Sequence, residues 1–67
     1  MIKIIYSKYA NDKRVLYGLT KEQIERAVKR GATVNQTGGY LASYGEIKVA
    51  YKKLDKETYY LKTIYVG

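Results

Sequence analysis

Sixty-seven residues make one domain, close to the lower size at which a core holds a fold together unaided. The chain has no cysteine and no histidine, and its six carboxylates are scattered, which excludes disulfide staples, a structural zinc site, thiol chemistry and Ser/His/Asp hydrolysis. Thirteen Lys/Arg against six Asp/Glu give a net charge of +7, which favours a polyanion, nucleic acid before an anionic membrane surface, as partner.

In chain order, Met1–Ser7 alternates as a β-strand, with Ile2, Ile4 and Tyr6 on one side and Lys3 and Ile5 on the other. This apolar run is too short for a signal peptide, and nothing approaches a membrane-spanning length, so the expectation is a cytoplasmic protein. Ser7 opens a short helix that ends at Gly18. The next helix, Lys21–Arg30, is the best defined element. Thr20 and Gln23 stand at capping-box spacing, Leu19 precedes the cap where it can staple onto Ile24, and Gly31 is placed to end the helix in the left-handed conformation. Ile24, Ala27 and Val28 share one face, while Glu22 with Arg26 and Glu25 with Lys29 stand four apart on the exposed side.

Beyond Gly31 the period changes to two. Thr33–Thr37 reads as a polar edge strand, Gly38-Gly39 as a turn and Tyr40–Tyr44 as the returning strand. Glu46–Leu54 sets Ile47, Val49 and Tyr51 against Glu46, Lys48 and Lys52, with Ala50 fitting either face. Asp55–Glu57 is a turn. In Thr58–Val66, strict alternation puts Tyr59, Leu61, Thr63 and Tyr65 on one face and Tyr60, Lys62, Ile64 and Val66 on the other, so this strand is central. The expected fold is α+β: an N-terminal strand, two helices, then a three- to four-stranded antiparallel meander.

What remains for chemistry is Lys, Arg and Tyr. No phosphate-loop or dinucleotide fingerprint occurs, and no cofactor or metal is implied. Cations and phenols suit RNA cleavage without metal, where cations stabilise a charged phosphorane and a Tyr or Lys moves the proton. They suit plain nucleic-acid binding equally.

The run Tyr9-Ala10-Asn11-Asp12-Lys13, followed by Tyr17-Gly18-Leu19-Thr20 and Gln23-Ile24, resembles the N-terminal signature of a family of small domains related to the RelE/ParE toxins. That pattern reads His-Ala-x-x-Arg, Arg-Gly-Ile-Ser/Thr, a helix, a Gly-containing hairpin and a Val/Thr-Val-Tyr-like ending, which Lys62-Thr63-Ile64-Tyr65-Val66 resembles. Tyr9 stands in place of the family's His, Lys13 in place of its first Arg and Tyr17 in place of its second. The resemblance implies a RelE/ParE-like fold and a toxin–antitoxin setting. RelE-like toxins cut ribosome-bound mRNA with Lys, Arg and Tyr, and ParE-like ones poison gyrase.

The candidate catalytic residues are Tyr9, Lys13 and Tyr17, one stripe of the first helix that either presents a cation between two phenols or packs its rings on the sheet. The candidate nucleic-acid-binding residues are Arg26, Lys29 and Arg30 on the second helix, where they also complement the helix dipole, and Lys48, Lys52, Lys62 and Tyr60 on strands. Tyr51, Tyr59 and Tyr65 are assigned to packing, whereas Tyr40 and Tyr44 flank the Gly-rich turn. Three functions stay open: a small domain engaging RNA or the ribosome, as a metal-independent ribonuclease toxin or its degenerate relative; a non-enzymatic phage- or plasmid-type protein that inhibits a host protein; and a structural protein that oligomerises through the edge near Thr33–Thr37.

Overall fold

The computed structural model describes residues 2–67; Met1, where the expected first strand begins, lies outside them. The chain runs β1 (Lys3–Tyr6), α1 (Lys8–Leu16), α2 (Lys21–Arg30), β2 (Ala32–Gln36), β3 (Gly39–Tyr44), β4 (Ile47–Lys53) and β5 (Thr58–Val66). One five-stranded sheet has the order β1-β5-β4-β3-β2. The expected α+β class and the antiparallel meander β2-β3-β4-β5 are present, but β1 pairs in parallel with β5, so the sheet is mixed. This pairing makes β5 an interior strand.

Both helices lie on one face, α1 over β5 and β1, α2 over β3 and β4. Ser7 caps α1 through its Oγ, which accepts from the Ala10 N–H at 3.0 Å and donates to the Lys62 carbonyl at 3.1 Å. The capping box of α2 is complete, with Thr20 N–H donating to Gln23 Oε1 at 2.8 Å and Gln23 N–H to Thr20 Oγ1 at 3.1 Å. Between the helices, the Arg14 guanidinium donates to the Leu19 carbonyl at 3.0 Å and to Asn11 Oδ1 at 3.2 Å. Ile24, Ala27 and Val28 are buried as expected and meet Ala42, Val49, Tyr51, Leu61 and Ile64 of the sheet. Ala10 is the only fully buried residue α1 contributes among the described residues. A methyl group there lets the helix approach β5 closely.

Three expectations change. Gly31 is extended (φ −71°, ψ 159°) rather than left-handed. Glycine is needed there for close approach, because a Cβ would collide with the Ala27 carbonyl and come within 2.7 Å of the Ser43 carbonyl. The first hairpin turns one residue early, at Thr37–Gly38, leaving Gly39 paired with Gln36 inside the ladder. A Cβ on Gly39 would run into the Tyr51 carbonyl of β4.

The third change is the largest. Opposite the Ala50–Tyr51 step of β4 the register of β5 slips, with Ala50 facing Thr63 and Tyr51 facing Leu61, so Lys62 is an extra residue with no partner. This β-bulge reverses the alternation of everything after it. Directly opposed residues share a face, so Ile64 (0% exposed) joins Leu61 and Tyr59 under the helices, while Thr63 and Tyr65 turn out beside Tyr60. Tyr65, assigned to packing by strict alternation, is 51% exposed.

Replacing Ile24 by Ala is expected to cost about 2–5 kcal/mol in urea unfolding, the range for a buried aliphatic cut back to methyl. Deleting Lys62 removes the extra residue and leaves Leu61, Thr63 and Ile64 in plain alternation with Ile64 still inward, so a cooperative transition is expected to survive the loss of the Ser7–Lys62 hydrogen bond. Lys62→Ala, which keeps the bulge, should stay within about 1 kcal/mol of the parent.

Candidate nucleic-acid interface

The face of the sheet that the helices leave open is built by three cross-strand rows. Ile5, Tyr60 and Lys52 form the first, Thr63, Ala50, Leu41 and Val34 the second, and Tyr65, Lys48, Ser43 and Ala32 the third. Lys62 enters between the first two from the bulge, and its Nζ donates to the Gly38 carbonyl at 3.1 Å, spanning β4 to the first hairpin turn. Lys3 stands at the β1 edge of the same face, by alternation with Ile5. The floor is small and apolar, with Ala50 7% exposed. Tyrosines and lysines rise around it.

No strand of the sheet carries a carboxylate. All six acidic residues lie in the helices (Asp12, Glu22, Glu25) or the turns (Glu46, Asp55, Glu57). Four lysines and two tyrosines therefore face outward together with no carboxylate on the strands between them, and at the β1 edge Lys3 lies close enough to Asp55 of the β4–β5 turn to feel its charge. Opposed residues in an antiparallel pair approach within about 4.5–5.5 Å, which sets Lys52 beside Tyr60 and Lys48 beside Tyr65. Each ring has a cation as its neighbour. Lys48 Nζ also donates to the Gly67 carbonyl at 3.2 Å.

The expected strand residues Lys48, Lys52, Lys62 and Tyr60 thus come together on one surface. Arg26, Lys29 and Arg30 do not join them. They line a shallow depression on the outer side of α2, away from the open face, together with Glu22 and Glu25. Lys29 is engaged there by Glu25 at 2.8 Å, so this patch is mixed in sign.

The α1 stripe is a third, separate surface. Tyr9 is 65% exposed and Lys13 Nζ sits 5.8 Å from its ring centre and 6.0 Å from that of Tyr17. The rings are presented to solvent and not packed on the sheet, with Val15 and Leu16 exposed beside them. The candidate catalytic trio is therefore assembled, but on the helix side of the molecule.

Two features escaped the sequence reading. Tyr65 belongs to the open face only because of the bulge, which no residue type announces. On the helix side, Tyr40, Tyr51 and Tyr59 stack across three strands with ring centres 5.5 and 5.2 Å apart, and Lys53 Nζ caps the row 5.9 Å from Tyr40 and 5.4 Å from Tyr59. Their register opposite one another, Tyr40 to Tyr51 and Lys53 to Tyr59, is the signal that pairing would have supplied.

No family model, curated protein or solved structure matches the chain. Among the described residues no group of three or more acidic side chains is placed to hold a metal, and no helix is long and apolar enough to cross a membrane.

One phenol has a displaced titration. Burial raises the Tyr6 pKa above its ordinary 10.0, partly opposed by the Arg14 guanidinium 5.8 Å from the ring, with Glu25 adding to the rise. The folded state holds that proton more tightly than the unfolded chain. The associated stability is complete below pH 10 and is lost as pH rises through the folded value. In an absorbance titration of tyrosinate, Tyr6→Phe is expected to remove one component that ionises above pH 10 and to flatten the fall in stability there.

Proposed function

We propose that this is a small nucleic-acid-binding domain that holds single-stranded RNA on the open face of its sheet. The observation that carries the reading is the segregation of charge: Lys3, Lys48, Lys52 and Lys62 stand with Tyr60 and Tyr65 on strands that carry no carboxylate. Lysines supply phosphate contacts and phenol rings supply stacking platforms that accept any base. A flat sheet face suits splayed single-stranded bases better than a duplex groove.

The reading extends to a cytoplasmic RelE/ParE-like protein, a ribonuclease toxin or a degenerate relative of one that has kept the binding surface. Element order supports that kinship: strand, two helices on one face, then a meander. Tyr9, Lys13 and Tyr17 lie across the sheet from the binding lysines, which favours binding over cleavage. A phenol or ammonium works at neutral pH as an acid, or as a base only when its pKa is lowered.

Binding to a single-stranded oligonucleotide should weaken steeply with salt. Lys52→Ala and Lys62→Ala are each expected to lower the log–log salt slope by about 0.7, and Tyr60→Ala or Tyr65→Ala to cost about 1–3 kcal/mol of affinity. Arg26→Ala and Lys29→Ala should leave the slope as it is. If the two helix variants lower it and the strand variants do not, the interface lies on α2. Incubation with free and ribosome-bound RNA tests cleavage separately, with Lys13→Ala as the variant that should abolish it.

A second reading has its own observation. Tyr9 (65% exposed), Leu16 (71%) and Tyr17 (38%) form an aromatic and apolar stripe along α1, of the kind that docks a protein. An antitoxin or an inhibited host protein would engage it there. Recovery of one stoichiometric partner that Leu16→Asp releases, with no RNA retained, would favour this reading over the first.

A further inference from the structure

β2 is the free edge of the sheet, and it lacks the devices by which edge strands avoid pairing. It is regular over Ala32–Gln36, every residue is exposed, and it contains no lysine, proline or bulge. The surrounding sequence is unusual for so basic a chain: Gly31–Gly45 contains no charged residue, whereas the remainder carries all nineteen. The opposite edge, β1, is shorter and carries Lys3. A second copy of a +7 protein is repelled from most of this surface, but not from the β2 edge.

The hydrogen-bond phase of that edge follows from the turn. The two-residue connection at Thr37–Gly38 makes Gln36 and Gly39 a hydrogen-bonded pair. Alternation along an antiparallel ladder then directs Val34 and Ala32 toward β3 and turns the backbone N–H and C=O of Thr33 and Asn35 outward. None of those four outward groups has a backbone partner among the described residues.

We propose that two copies of the chain pair through β2, antiparallel, about a two-fold axis at Val34. In that register Thr33 of each copy faces Asn35 of the other, and the outward N–H and C=O groups satisfy one another in four hydrogen bonds. Val34, 59% exposed, meets its own symmetry mate as a non-hydrogen-bonded pair, the closer of the two spacings. The two-fold of such a pair is perpendicular to the sheet. Two five-stranded sheets therefore become one continuous sheet with both open faces on the same side. The inference stands on the edge alone and holds whether or not that face binds RNA.

Sedimentation of nuclease-treated protein should show the mass rising from one chain toward two with concentration. Val34→Lys and Val34→Glu place like charges on the axis, so each variant is expected to stay at one chain, and an equimolar mixture of the two to recover the dimer. Because the chain has no cysteine, Val34→Cys adds a lone thiol, and the paired Cα spacing of about 4.5 Å lies inside the range a disulfide needs. V34C should oxidise to a covalent dimer, and K56C, in the exposed β4–β5 turn, should not. Circular dichroism of all four variants confirms that each is folded. A mass of one chain at every concentration, a dimer that survives V34K, or a K56C thiol that couples as fast as V34C would each overturn the proposal.

Discussion

The structure depends on one residue too many in β5. The strand lies between a parallel neighbour and an antiparallel one, so both of its edges are committed to hydrogen bonds and both of its faces must be correct. Lys62 is inserted where the register slips. Its carbonyl is taken by the Ser7 hydroxyl that caps α1, and its ammonium by the Gly38 carbonyl in the first hairpin turn. The bulge is thus held from the helix side and from the far side of the sheet. It delivers Leu61 and Ile64 to one core while freeing Tyr60, Thr63 and Tyr65 for the other face.

How much of this was legible follows from where the information is local. The Thr20–Gln23 capping box, the Ile24/Ala27/Val28 face and the alternation of β4 are written within a few residues, and all three form as read. Features decided by distant neighbours were not. Gly31 looks like a helix terminator, yet its lack of a side chain answers to the Ser43 carbonyl of β3. A bulge leaves no mark in composition, so Tyr65 and Ile64 exchanged faces. On α1 the tyrosines suggested packing because aromatic rings usually pack, but the helix sits on β5 through Ala10 and leaves them outside. On the open face, the strand lysines and Tyr60 were named one by one from the sequence. Their assembly depended on strand order, which hydrophobic periodicity does not encode.

The domain keeps different surfaces on different layers. The open sheet face is cationic and aromatic, α1 shows an aromatic and apolar stripe, α2 has a mixed-sign exterior, and the β2 edge is neutral. In so small a molecule this separation has a physical cause. Acidic residues placed in strands would sit opposite the strand lysines and cancel the field of that face. Confined to helices and turns, they support helix exteriors and close loops, as Asp55 does by accepting from the Glu57 N–H at 2.9 Å.

The parallel pairing of β1 with β5 also orders events during synthesis. β1 is synthesised before the other strands, and among the described residues its one neighbour in the sheet is β5, the last of them. The α2–β2–β3–β4 stretch is local and can begin to associate early, but α1 and β1 rest chiefly on β5 and have nothing to settle against until it arrives. The first strand to appear therefore waits on the fifth. Closure of the core is a late, long-range step, of the kind that makes folding slow relative to size and leaves apolar strands exposed in the meantime. Polar spacing in β1 by Lys3, and the basic charge carried by the first thirty residues, keep that waiting segment dispersed.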